Sequence, residues 1–250
     1  MTRRPRGRRR LVGGQVSEDV EWDRRDKPLL TDPDDVAPFN PLDTKNLAIA
    51  VAKATLEKKA RPLGGLPAFR GAGIYVIYYV GGMSSYRAMA AENIDRADPR
   101  WPIYIGKAIP PGGRRGNFNL EATDTTALYV RLREHAESIR STRNLDVSDF
   151  LCRFLVVQDL WIPLAEQLLI SHFAPVWNRL IDGFGNHDPG TGRYNGLRPR
   201  WDVLHPGREW AERCGRRDET AADIEREVVQ YLLTTSVPSI ALLSGDLSGK

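Results

Sequence analysis

Two short runs, GIYVIYYV at 73–80 and PIYIGKA at 102–108, alternate β-branched and aromatic residues in the manner of half-buried strands. A third apolar run, DFLCRFLVV at 149–157, predicts another strand. Around these runs the apolar period lengthens to that of helices. DTKNLAIAVAKATLEKKA offers an Asp or Thr N-cap and stops before Pro62, which predicts a helix over residues 44–60. TTALYVRLREHAESIR sets Leu128, Leu132 and Ile139 at helical spacing. WIPLAEQLLISHF carries Pro163 where a first helical turn tolerates it, with Leu164, Leu168 and Leu169 as its apolar stripe, and ends before Ala174-Pro175. One more helix is expected in DETAADIEREVVQYLL after residue 217.

The predicted order is helix, strand, strand, helix, strand, helix. The link 81–101 between the first two strands shows no clear helical crossover, which favours a small mixed or antiparallel sheet with helices against it over a doubly wound parallel sheet. The fold class is α/β in the broad sense, of the α+β kind. Residues 11–45 are acidic and rich in Pro and Asp, without a sustained period, and read as an extended lead-in. The expected layout is a basic arm and lead-in over 1–42, a domain over 43–217 with its core at about 70–180, and a helical tail over 218–250. No internal repeat is visible.

Composition narrows the function classes. A hydrophobic share of 41% and a charged share of 27% describe a soluble globular protein. No apolar run reaches the roughly 18 residues of a membrane span, and no secretory leader is recognisable. Cys152 and Cys214 have neither metal-site spacing nor disulfide-framework density, so a reducing cytoplasm is expected. The net charge of +4 has a local source: MTRRPRGRRR holds six of the 36 basic residues, leaving 30 against 32 acids in the rest of the chain. The arm is suited to phosphates, or to keeping the chain soluble.

The elements also gather a set of polar residues. Tyr75 and Tyr104 lie on neighbouring strands. Arg131 and His135, four apart, share a helix face, Glu166 stands in the first turns of the next helix, and Asn178 follows that helix. Each has an ordinary structural reading: cross-strand packing for the tyrosines, a solvated face for Arg131 and His135, the helix dipole for Glu166, a turn for Asn178.

Together they resemble the GIY-YIG nuclease superfamily: Gly73-Ile74-Tyr75, then Tyr104-Ile105-Gly106, then Arg131, His135, Glu166 and Asn178 in the same order and element context. The phrases NPLD, LREH, PLAEQLLI and GFGNHDPG are similar to its type II restriction endonuclease branch, and most like the subgroup that cuts the palindrome CCGCGG. The resemblance implies three antiparallel strands flanked by helices, with extensions at both ends. It implies double-stranded DNA as substrate, one Mg2+ per active site, a homodimer, a bacterial cytoplasm and a companion DNA methyltransferase in the same cell.

It also suggests roles. Glu166, the sole acid of the set, is the expected metal ligand, and a single carboxylate argues against a two-metal site. Arg131 supplies a donor fork for the scissile phosphate. Tyr75 is the expected general base, relieved of its own proton by His135, because a free tyrosine pKa near 10 is too high for the task alone. Tyr104 is expected to hydrogen-bond the water or phosphate, and Asn178 to orient the phosphate or a neighbouring tyrosine. Lys107 is a candidate phosphate contact. Two arginine-rich loops suit guanine readout: Arg114 and Arg115 in GGRRGN, and Arg193, Arg198 and Arg200 in GTGRYNGLRPRW. Two alternatives stay open at this point, a repair-type or structure-specific GIY-YIG nuclease and a DNA-binding module with an inactive site.

Overall fold

The structure, a computed structural model, describes residues 43–110, 124–190 and 194–237. The basic arm and lead-in, together with Arg114, Arg115 and Arg193, lie outside the described residues.

Among the described residues four strands, rather than the three expected, form one antiparallel sheet in the order β1-β4-β2-β3: β1 (Arg61–Pro62), β2 (Gly73–Tyr79), β3 (Pro102–Ala108) and β4 (Phe150–Val156). The extra strand has two residues, one of them a proline, so it shows no alternation; Pro62, lacking an N–H, is tolerated because β1 is an edge. Pro62 also shapes the residue before it. It biases Arg61 towards extended backbone, but α1 (Thr44–Leu56) has already stopped short of the expected residue 60, in a tightened turn where Lys58 N–H donates to Thr55 O at 3.2 Å.

The alternation in β2 predicts a half-buried strand, but all seven of its residues are buried. The reason is that helices cover both faces of the sheet. Tyr75, Ile77 and Tyr79 face the larger core with Leu128, Leu132 and Ile139 of α3 (Ala127–Arg140). Ile74, Val76 and Tyr78 face the smaller core with Ala52 and Leu56 of α1 and with Ile162, Ala165, Leu169 and Phe173 of α4 (Ile162–Phe173). Of the three leucines expected as the α4 stripe, only Leu169 is fully buried. Leu164 and Leu168 lie half-covered beside it.

The 81–101 link contains a short helix not visible in the pattern, α2 (Arg87–Glu92), which buries Met89. After α4 the chain turns at Ala174, whose left-handed φ of 43° is unusual for a residue with a Cβ, and enters α5 (Val176–Arg179). Further along lie α6 (Arg200–Leu204) and α7 (Glu209–Glu212), which bury Trp201, Leu204 and Ala211. The last helix, α8 (Ala221–Thr234), starts at a Thr220–Asp223 capping box. Its Ile224, Val228 and Leu232, spaced by four, enter the larger core, so the stretch read as a tail supplies a wall of the domain.

Candidate active site

The glycines of the two tripeptides place the first two site residues. A Cβ on Gly73 would overlap the Leu155 carbonyl oxygen on β4, so glycine lets β2 and β4 pair there. Tyr75 is paired with Gly106 across β2 and β3, and a Cβ on Gly106 would run into the Tyr75 hydroxyl. The second glycine therefore makes room for the first tyrosine.

Helix α3 brings Arg131 and His135 over these strands. The Tyr75 hydroxyl lies 2.6 Å from His135 Nε2, both residues being almost wholly buried. Burial, and after it the Tyr104 oxygen, raises the Tyr75 pKa well above its usual value, against the pull of Arg131. Burial pushes His135 well below its usual 6.5, helped by the positive charge of Arg131. His135 is thus neutral near pH 7, and its Nε2 is placed to accept the Tyr75 O–H. Tyr104 completes the cluster, its ring 6.3 Å from that of Tyr75 and 5.2 Å from that of His135. Burial raises the Tyr104 pKa too, against Arg131.

Arg131 donates to Glu134 Oε2 at 3.0 Å and to the Gly185 carbonyl at 2.7 Å, and its Nη1 also contacts His187 Nε2. Burial opposes its charge, but the neighbouring tyrosine oxygens and Glu134 outweigh that and hold it protonated. The open cleft beside it, about 690 Å3, is lined by Lys107, Thr125, Thr126, Arg131, Glu134 and His187. Glu166 of α4 accepts from Nζ of Lys107, one of the lining residues of that cleft, at 2.5 Å. The Glu166 side chain is 14% exposed and lies close enough to influence both tyrosines.

This carboxylate therefore already attracts one cation, and its donor chemistry fits a hard divalent ion whose other positions are filled by phosphate and water. Among the described residues no group of three or more His, Cys, Asp or Glu forms a larger metal site.

Asn178 uses both ends of its amide on one residue. Oδ1 accepts from Ile105 N–H and Nδ2 donates to the Ile105 carbonyl, each at 2.8 Å. Among the described residues β3 is the last strand of the sheet on that side, and Asn178 bonds its outer edge and fixes the backbone beside Tyr104.

Two of the expected DNA contacts, Arg198 and Arg200, make hydrogen bonds within the protein. Arg200 donates to Leu180 O at 2.8 Å and pairs with Glu219 and Glu227, tying α6 to α8. Arg198 donates to the carbonyls of Ala211 and Glu212, at 2.9 and 3.0 Å. Composition marks arginine-rich loops without showing whether the guanidinium faces solvent or a carboxylate.

Sequence reasoning also missed residues. His187 and the Gly185 carbonyl, both on Arg131, lie within GFGNHDPG, and Glu134 lies within LREH. These phrases mark the segments but not the contacts.

With this geometry in hand, the chain can be set beside known families. Residues 67–232, well over half of the chain, match the family model of the Eco29kI GIY-YIG domain. The chain belongs to the Eco29kI GIY-YIG family. This is a family of restriction-type nucleases, and DNA is the substrate class it implies. The match extends into α8, in keeping with the place of that helix in the larger core. No curated protein matches the sequence. Among the described residues, no helix is long and apolar enough to cross a membrane.

Proposed function

We propose that this GIY-YIG protein is a type II restriction endonuclease that hydrolyses both strands of double-stranded DNA at a GC-rich palindrome, CCGCGG, with one Mg2+ per active site. The observation that carries the reading is the buried Tyr75–His135 hydrogen bond on the same helix face as Arg131, which lines an open cleft of about 690 Å3.

The scissile phosphate enters the cleft against Arg131, whose charge offsets that of the phosphorus oxygens. The attacking water gives a proton to the Tyr75 oxygen as the Tyr75 proton passes to His135 Nε2. The water oxygen bonds to phosphorus as the bond from phosphorus to the 3′ oxygen breaks, leaving a 5′ phosphate and a 3′ oxygen that takes a proton from solvent water. Burial disfavours a standing phenolate at Tyr75 and an imidazolium at His135 alike, so the proton moves only in the presence of the negative phosphate. Tyr104 hydrogen-bonds the water or phosphate, on a strand held by Asn178. Glu166 would hold the metal, which when bound would supply Lewis-acid stabilisation of charge on the phosphate. Lys107 leaves Glu166 for a phosphate oxygen once DNA is present.

A palindromic site calls for a two-fold dimer, one subunit per strand. Such an enzyme belongs in a bacterial cytoplasm with a companion methyltransferase that protects host DNA. Incubating the protein with a plasmid carrying CCGCGG, with and without Mg2+, tests this reading. Discrete fragments ending within that site are expected. A retarded but intact band would point instead to a binding module, and nicks confined to branched or damaged DNA to a repair nuclease.

A further inference from the structure

Arg208, between α6 and α7, is buried and far along the chain from the site residues. Its backbone is placed by Gly207, whose φ of 149° and close approach to the Ser141 carbonyl exclude a Cβ. The guanidinium meets Asp202 through two hydrogen bonds of 2.6 Å, from Nε and from Nη2. Its remaining N–H groups donate to three carbonyls of one loop: Gly183 at 2.9 Å, Asn186 at 3.1 Å and Phe184 at 3.2 Å. All five donors of the fork are thereby used, and none is left for DNA. The rings of Trp201 and Trp210 lie 4.5 and 4.7 Å from the guanidinium carbon.

The loop held in this way touches the reacting groups. The Phe184 ring stacks on His135, with centroids 4.5 Å apart and planes at 18°, and meets Tyr104 edge-on at 4.9 Å. The Gly185 carbonyl accepts from Arg131 at 2.7 Å, and a Cβ there would come within 2.8 Å of the Tyr104 hydroxyl. We propose that Arg208 is a positioning residue of this active site: by clamping the Gly183–Asn186 loop it fixes Phe184 and the Gly185 carbonyl, and through them His135 and Arg131. The proposal rests on the nuclease reading of the site. Lysine keeps the charge but lacks the planar fork, and a point charge does not bind a carboxylate and three carbonyls in one plane.

The test is a double-mutant cycle of Arg208→Lys and Phe184→Leu, with each protein checked for folding by circular dichroism. Single-turnover cleavage is measured in Mg2+ and DNA affinity in Ca2+. Arg208→Lys should slow cleavage on the order of 100-fold with affinity unchanged, the scale expected when a supporting contact lets reacting groups drift by about 1 Å. The double variant should be no slower than the worse single one, because both act through one loop. If Arg208→Lys does not fold, Arg208→Met with Asp202→Leu replaces the buried pair by apolar groups and carries the same expectations. A folded variant that cuts at the wild-type rate, or losses that multiply in the cycle, overturns the clamp while leaving the nuclease reading intact. A wild-type protein that does not cut overturns that reading and the clamp with it.

Discussion

Replacing Tyr75 with Phe removes one oxygen from a ring that is otherwise left in place. The hydroxyl is buried and 2.6 Å from His135 Nε2, so its loss leaves a buried imidazole acceptor unpaired. That costs about 1–3 kcal/mol of stability, which a domain with the usual 5–15 kcal/mol tolerates while remaining folded. The kinetic effect is larger. Loss of a positioned proton acceptor slows a chemical step by roughly 100- to 10,000-fold, or about 2.7–5.4 kcal/mol of barrier. The assay is single-turnover cleavage of a labelled duplex with enzyme in excess, beside affinity measured in Ca2+, which separates chemistry from binding. The relay would be refuted by a Tyr75→Phe rate within about threefold of wild type, far less than proton transfer contributes. It would also be refuted by a rate loss that is matched by lost affinity.

Gly106→Ala should destabilise the fold by about 1–3 kcal/mol and impair cleavage, the reverse of the usual gain from replacing a strand glycine, because its methyl meets the Tyr75 hydroxyl; an unchanged urea midpoint and rate would contradict this. Stability should fall on acidification below neutral pH. Burial pushes His205 down to about 3 from an unfolded value near 6.5, so between those limits the unfolded chain binds the extra proton and is favoured. Moving from pH 7 to pH 5 should cost about 2 kcal/mol from this group, with His135 acting in the same direction; urea midpoints that rise over that interval would show the sign to be wrong. Arg200→Ala should lower stability by about 1–2 kcal/mol without changing site preference, since its donors go to Leu180, Glu219 and Glu227. Relaxed cleavage specificity at an unchanged melting temperature would return Arg200 to the DNA.

The strands carrying Tyr75 and Tyr104, helix α3 and helix α4 were legible because each is a continuous run whose period survives in the sequence. Contacts between distant segments were not. The two-residue strand at Arg61 is too short to have a period, and burial of β2 on both faces depends on where α1 and α4 pack. The order of the site residues was readable from the tripeptides onward, whereas Asn178 binding a strand edge is a fact of topology. The arginines from 198 to 208 show the limit most plainly. Arg198, Arg200 and Arg208 look alike in a list of basic residues, yet Arg208 lies in a buried bidentate pair and Arg200 joins two helices. Charge counts do not say which carboxylate or carbonyl a guanidinium will meet.

The most direct test of the account is Glu166→Ala beside wild type on the same CCGCGG plasmid in Mg2+, with ends mapped by sequencing and DNA affinity measured in parallel. The account predicts that wild type yields ends within one palindrome, while the variant binds the DNA with similar affinity and yields none, because it lacks the carboxylate for the metal rather than the surface for DNA. A Glu166→Ala protein that still cuts at about a tenth of the wild-type rate would contradict it, since removing a sole metal ligand should cost far more than tenfold.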